Sequence, residues 1–399
     1  IYTHDMLEPV RAAARKLPSI KHLICMDGPQ AGALSLPEMM AAALTPPADP
    51  WDQTAIAHLS YTSGTTGKPK GACLAHEPTV TAARCIGERL RIRPDDISLG
   101  PTALSSSYQL VSNILPTLAS RASVNVLTNW NPAFGWDALD QLRATGFVAN
   151  PTLLDDLLVE SRMRGRIPRR LRYALSGGGP VPPRLKMAFR DELQLPLVES
   201  FGQSELGGFM ALGYPDLEPD DNRLVPVGPA LPDKEVRIAA SDDTFLPPGK
   251  VGNILLRGGF MAGYWGKPEK TEETTRGGWL RTGDLGLIDA NGYITMRGRR
   301  SEILNVAGVD WFPRDIEEAL MAIDAIRFAA VVGVPDSALG MRPYAIVSLA
   351  NDANVDPDDL KQTIAGQLAY DLTSLTVQIR DEIPMTPTGK IAKATLVES

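Results

Sequence analysis

Tyr61-Thr62-Ser63-Gly64-Thr65-Thr66-Gly67-Lys68-Pro69-Lys70-Gly71 crowds hydroxyls, glycines and lysines into one stretch, directly after the apolar run Ile56–Leu59. Glycines let backbone N–H groups converge, hydroxyls add donors and lysines add charge, so the loop suits a polyphosphate. It is not a Walker A loop, which needs GxxxxGK[ST] opening a helix. Here Pro69 follows Lys68, and Gly71 with Cys73–Leu74 resumes an extended pattern. The plainer alternative is a flexible polar turn.

Outward from that loop, apolar strand-like runs alternate with amphipathic helical stretches from about Leu59 to Gly202. Strands are expected at Ile97–Leu99, Ser123–Leu127, Arg172–Leu175 and Leu197–Glu199. Helices are expected at Pro151–Arg164 and Pro183–Leu193, where apolar residues recur three and four apart. Such alternation points to an α/β layered architecture. From Val225 to Met296 glycine and proline become frequent and short β runs dominate (Glu235–Ile238, Asn253–Leu256, Tyr293–Met296), which predicts a small β subdomain. Beyond Ser301 a helix at Pro313–Ile323, strands at Phe328–Gly333 and Tyr344–Leu349, and a helix start at Asp356-Pro357-Asp358-Asp359 predict a compact α+β domain. The expected division is therefore residues 1–300 and 301–399, with Ala41–Pro50 as a surface linker.

The chain has 399 residues, 44% hydrophobic and 22% charged, which is ordinary globular composition and long enough for more than one domain. A net charge of -7 with scattered basic residues argues against nucleic acid or an anionic membrane as partner. Apolar runs are too short for a membrane span, and the start lacks a signal-peptide pattern. Only Cys25, Cys73 and Cys85 occur, a set that fits a reducing cytoplasm better than a disulfide framework. A metal cage is not expected, since His4, His22, His58 and His76 are well separated and no CxxC pair exists.

Other motifs are weak one by one. Gly177-Gly178-Gly179 and Phe201-Gly202-Gln203-Ser204-Glu205 each follow a strand, at the usual ligand edge of an open α/β sheet. Glu205 offers a hard oxygen for Mg²⁺, although either motif can be a plain corner. In Trp279-Leu280-Arg281-Thr282-Gly283-Asp284, the acid can accept hydrogen bonds from both ribose hydroxyls or merely close an Asx turn. Arg297-Gly298-Arg299-Arg300-Ser301-Glu302 marks the expected boundary, and Pro387-Thr388-Gly389-Lys390 presents a lysine near the C-terminus.

Taken in order, YTSGTTGKPKG, FGQSE, RTGD, GRRSE and PTGK closely resemble the motifs of the adenylate-forming superfamily, of acyl- and aryl-CoA synthetase type. The resemblance runs the length of the chain. It implies that an acid is activated with ATP to an acyl-adenylate, with pyrophosphate released, and passed to the thiol of coenzyme A. It further implies that Thr62, Ser63, Gly64, Thr65, Thr66, Gly67, Lys68 and Lys70 hold the β- and γ-phosphates of ATP. Phe201 and Gly202 with Gly178 and Gly179 would enclose the adenine, and Ser204 would bond the α-phosphate. Glu205 would bind Mg²⁺, Asp284 and Arg299 would fix the ribose, and Lys390 would reach both the substrate carboxylate and the α-phosphate. The C-terminal domain would rotate about Ser301, bringing Gly308 to the thiol channel.

Departures accompany the resemblance. The hinge is usually Asp or Lys, not Ser. An aromatic/His pair common near the acyl pocket is replaced by Ser105-Ser106-Ser107-Tyr108, and relatives usually carry a substantial portion before the equivalent of Ile1. Ser107, Tyr108, Gly207 and Gly208 are expected at the acyl pocket, and Gly207-Gly208-Phe209-Met210 leans toward an apolar acyl or aryl group. The expected partner is a small-molecule carboxylic acid; a homo-oligomer is left open. Carrier-protein loading and a non-catalytic nucleotide-binding relative are the alternatives. Amino-acid activation is disfavoured because no Asp lies near Ser105–Tyr108.

Overall fold

The computed structural model describes residues 1–42, 52, 54–62, 69–104, 106–127, 129–218, 225–350, 353–385 and 391–396. By its contacts the chain forms two compact units, Ile1–Asp52 and Gln53–Ser399. The expected boundary at 300/301 falls inside the second, at the single 3-10 turn Arg300–Glu302. Most of the expected linker, residues 43–50, lies outside the described residues.

The first unit carries the helix Leu7–Lys16 and a short parallel pair, Ile24–Cys25 with Leu34–Ser35. The Ser35 hydroxyl accepts from the Glu38 amide and caps the helix Leu36–Ala41. Folding brings together residues that sequence spacing separates. Tyr2 bridges Cys25, the His4 amide donates to the Asp27 carboxylate at 2.6 Å, and ligand-type atoms of His4, Cys25 and Asp27 lie within 4.8 Å of one another.

The second unit is built on a six-stranded sheet in the spatial order Phe209–Leu212, Leu197–Gly202, Tyr173–Ser176, Gly146–Val148, Ile97–Gly100, Ser123–Val126. All neighbours are parallel except the edge pair Phe209–Leu212 with Leu197–Gly202. Parallel strands need crossovers, here largely the helices Pro132–Gln141, Pro151–Arg164 and Pro183–Asp191. Asn131 and Asn150 cap the first two through their side-chain oxygens, followed by proline in each first turn. Trp136, Leu139, Leu154, Leu157 and Phe189 pack with Phe147 in one apolar cluster. Ile86, Tyr173, Leu175, Val198 and Phe209 build another.

The predicted β subdomain is a mainly antiparallel sheet running Gly228–Pro229, Tyr293–Arg299, Trp279–Ile288, Gly252–Arg257, Glu235–Ala239. Ile56–Tyr61 and Gly71–Ala75 pair as a hairpin around the opening loop, and Gly263–Tyr264 adds a short third strand. The C-terminal α+β domain has the predicted helices, Pro313–Met321 and Pro357–Ala365, the latter capped by the Asp356 carboxylate. They pack on the long hairpin Ile326–Asp336 with Gly340–Leu349. Against the large domain, Arg184 donates to the carbonyls of Ile326 (3.1 Å) and Arg327 (3.0 Å). Arg327 reaches back to Asp155 (3.0 Å) and Asp156 (3.3 Å). Among the described residues no helix is long and apolar enough to cross a membrane.

Candidate active site

In sequence order, the six strands of the main sheet stand 2-1-3-4-5-6, so the chain's direction of travel reverses between Ile97–Gly100 and Gly146–Val148. A doubly wound sheet opens a crevice at that point, outside the carboxyl ends of its strands. Thr102, Asn150, Gly177, Gly178, Gln203 and Ser204, all in loops leaving those ends, line one cavity of about 170 Å³. His58, Ser60, Leu74, Ser107, Tyr108, Gly207 and Gly208 line the same cavity. The turn through Phe201-Gly202-Gln203-Ser204-Glu205 is tight: a Cβ on Gly202 would stand 2.7 Å from the Gly208 carbonyl oxygen.

Thr62 and Lys70 close the base of the opening loop. The Thr62 amide donates to the Lys70 carbonyl (2.9 Å), and the Lys70 amide donates to the Thr62 hydroxyl (3.3 Å). Ser63, Gly64, Thr65, Thr66, Gly67 and Lys68 lie outside the described residues, as does Lys390. The Lys70 ammonium stands 4.9 Å from the centre of the Tyr264 ring. Tyr264 in turn donates its hydroxyl to Glu205 Oε1 at 2.7 Å. Burial first, then the charge of Glu205, pushes that phenol's pKa upward.

Asp284 and Arg299 face each other in register on adjacent strands, Arg299 Nε 3.4 Å from Asp284 Oδ1. Gln203 Nε2 donates to the Thr282 carbonyl (2.8 Å) and to the Asp284 carboxylate, which ties the Asp284–Arg299 pair to the FGQSE turn. Asp284 is 3% exposed. Burial raises its pKa from the ordinary 3.8 to about 6, against the pull of Arg299. Below that pH the carboxyl becomes neutral, losing an acceptor and the partner of Arg299. On the ribose role that the motif resemblance implies for Asp284, the half-saturating ATP concentration in pyrophosphate exchange is expected to stay flat above pH ~7 and rise as pH falls through ~6. Asp284→Asn should abolish this acid limb; an unchanged limb in that variant would assign it to another group.

Other expected residues fall elsewhere. Phe201 is half-buried and packs with the cluster of Met210, Ile254 and Met261; neither it nor Gly179 is on the cavity wall. Met210 is fully buried in that cluster, so the apolar run after Glu205 turns away from the cavity after Phe209. Ser301 is exposed in its 3-10 turn, and Gly308 sits with φ +84° in the exposed turn between Leu304–Val306 and Val309–Trp311. Sequence reading passed over Gln203, Tyr264, His58, Ser60, Thr102 and Asn150 as site residues. Only His58 and Ser60 carried a local signal, being two apart in a strand and so on one face.

Comparison with known proteins adds an independent view. The family profile described as AMP-binding enzyme matches residues 2–265, and that described as AMP-binding enzyme C-terminal domain matches residues 315–390. A feruloyl-CoA synthase from an Amycolatopsis species is 30% identical over 358 residues, spanning 89% of this chain and 72% of that protein. A sulfoacetate–CoA ligase from Cupriavidus necator is 31% identical over 394 residues, spanning 98% and 75%. The ATP-bound structure of MatB from Rhodopseudomonas palustris matches with a TM-score of 0.87 at 27% identity, over 99% of this chain and 78% of that one.

Proposed function

This chain belongs to the AMP-binding enzyme family as an AMP-forming acid–CoA ligase, and from that premise we propose how its residues divide the work. In the first half-reaction a carboxylate oxygen of the acid bonds to the α-phosphorus of ATP and pyrophosphate leaves. In the second, the thiol of coenzyme A attacks the acyl carbon, AMP leaves and a thioester remains. Attack of one anion on another asks for charge neutralisation and alignment more than acid–base help.

Thr62 to Lys70 hold the β- and γ-phosphates, and Ser204 bonds the α-phosphate. Asp284 and Arg299 grip the ribose while Phe201, Gly178 and Gly179 flank the adenine. Lys390 meets the carboxylate and α-phosphate together. Glu205, a half-buried carboxylate oriented by Tyr264, is a hard oxygen donor that fits Mg²⁺. When bound, that ion supplies neutralisation of phosphate charge. The observation that carries the reading is that two linked sets, Thr62–Lys70–Tyr264–Glu205 and Gln203–Asp284–Arg299, meet at the one turn that holds both Gln203 and Glu205.

Residues 1–300 act as the nucleotide- and acid-binding body, and residues 301–399 as a lid turning at Ser301 to bring Gly308 to the thiol. A Ser301→Pro variant should hold one orientation, so that single-turnover adenylation and thiolation of supplied acyl-adenylate no longer run in sequence; unchanged thioester synthesis would remove the hinge. The unbridged Cys25, Cys73 and Cys85 support a cytoplasmic setting. Mass spectrometry of products from ATP, Mg²⁺ and a pooled acid panel, with and without coenzyme A, tests the whole reading. Acyl-CoA together with AMP supports it, whereas acyl-adenylate that never passes to coenzyme A defeats the acceptor assignment.

A further inference from the structure

We propose that the acid accepted by this cavity is compact and carries, besides its carboxylate, an uncharged hydrogen-bonding group such as a hydroxyl; the inference rests on the ligase reading above. His58 and Ser60 project from the same face of the strand Ile56–Tyr61, and Thr102 follows the strand at the switch point. All three line the cavity. Their polar atoms, His58 Nε2, Ser60 Oγ and Thr102 Oγ1, are buried without a hydrogen-bond partner among the described residues. Buried polar groups are normally partnered, so a cluster of unmet ones on a cavity wall marks where a ligand's own polar group sits.

Size and charge narrow the class. The cavity, about 170 Å³, is lined also by Gly178 and Ser204, which the reading above gives to the nucleotide, so the room left beside His58, Ser60 and Thr102 favours a compact acid. Among the described lining residues there is no carboxylate, lysine or arginine, and burial lowers the pKa of His58, favouring a neutral imidazole. Among the same described lining residues a second carboxylate finds no cation, whereas a hydroxyl finds donors and acceptors.

Gly207 and Gly208 line the cavity, and each also answers a local requirement of the fold. A Cβ on Gly208 would meet Ala82 Cβ at 2.7 Å, so that glycine admits the helix His76–Arg89. Gly207 has φ +61°, a backbone requirement of its turn. The glycines by themselves therefore do not select an apolar substrate.

Matched acid pairs test the proposal: 4-hydroxybenzoate against 4-methylbenzoate, and 3-hydroxybutyrate against 3-methylbutyrate. They are compared by kcat/KM for AMP release, and by calorimetric affinity in the presence of a non-hydrolysable ATP analogue. At least one hydroxylated acid should be preferred about 10²-fold or more over its methyl partner, because a site built for a hydroxyl strands its own groups when that hydroxyl is missing. Ser60→Ala and His58→Leu should each compress that ratio toward unity. Equal or better use of the methyl partners by the wild-type protein overturns the proposal while leaving the ligase reading intact. Absence of AMP with every acid defeats the ligase reading instead, and the calorimetric ranking then decides the cavity's preference. Binding of neither member of any pair overturns the proposal.

Discussion

Glu205→Gln is expected to lower acyl-adenylate formation about 10²–10³-fold, the usual consequence of removing one preorganised electrostatic contact. Glutamine keeps the shape of the side chain and removes its charge. The Tyr264 hydroxyl still finds an oxygen at the position now 2.7 Å away, and the Met261 amide still donates to the residue 205 carbonyl at 2.7 Å. Leu206, fully buried beside it, continues to anchor the turn. The fold should therefore survive, with the loss falling on the metal. Its signature is a rise in the Mg²⁺ concentration that half-saturates pyrophosphate exchange. Tyr264→Phe provides a graded control, since it keeps the ring under Lys70 and removes only the bond that aims Glu205; a shift of a few fold in Mg²⁺ demand is expected. Identical Mg²⁺ titrations for the wild-type and Glu205→Gln proteins would exclude Glu205 as a ligand.

Lys390→Ala should cost adenylate formation a comparable ~10²–10³-fold while leaving thiolation of supplied acyl-adenylate largely intact. A neighbouring lysine cannot take over. Lys393 is committed to ion pairs with Glu317 (2.8 Å) and Glu302 (3.1 Å). Burial opposes its charge, yet those two carboxylates hold its pKa above the ordinary lysine value. Moving it to the phosphates would strand two acids. Measuring the half-reactions separately decides the matter: survival of both would take the role away from Lys390.

The elements were legible wherever local pattern and burial agree. Pro151–Arg164 was read to the residue because Asn150, Pro151 and Gly165 punctuate it, the last as a left-handed cap. The strand Trp279–Ile288 was harder, since Gly283 at φ +76° interrupts the alternation with a bulge that looks like a turn in sequence. At the site, the residues assigned to the nucleotide came from motifs, by resemblance. Residues that aim them did not: Gln203 finds Asp284, and Tyr264 finds Glu205, only once separate sheets come together. Met210 was misplaced for the opposite reason, because an apolar run beside a motif reads alike whether it faces ligand or core.

The contacts of Arg184 and Arg327 with Asp155, Asp156 and two backbone carbonyls touch no residue of the cavity wall. Any turn of the lid about Ser301 has to undo them together. On the proposed rotation they would act as a catch whose strength sets how long the lid stays in the orientation seen here. Ion pairs at such partly exposed positions weaken as salt screens them. If the lid turns as proposed, the tempo between the two half-reactions would be under separate control from the chemistry itself, and could drift in evolution, or be tuned by hand, without altering which acid the enzyme accepts.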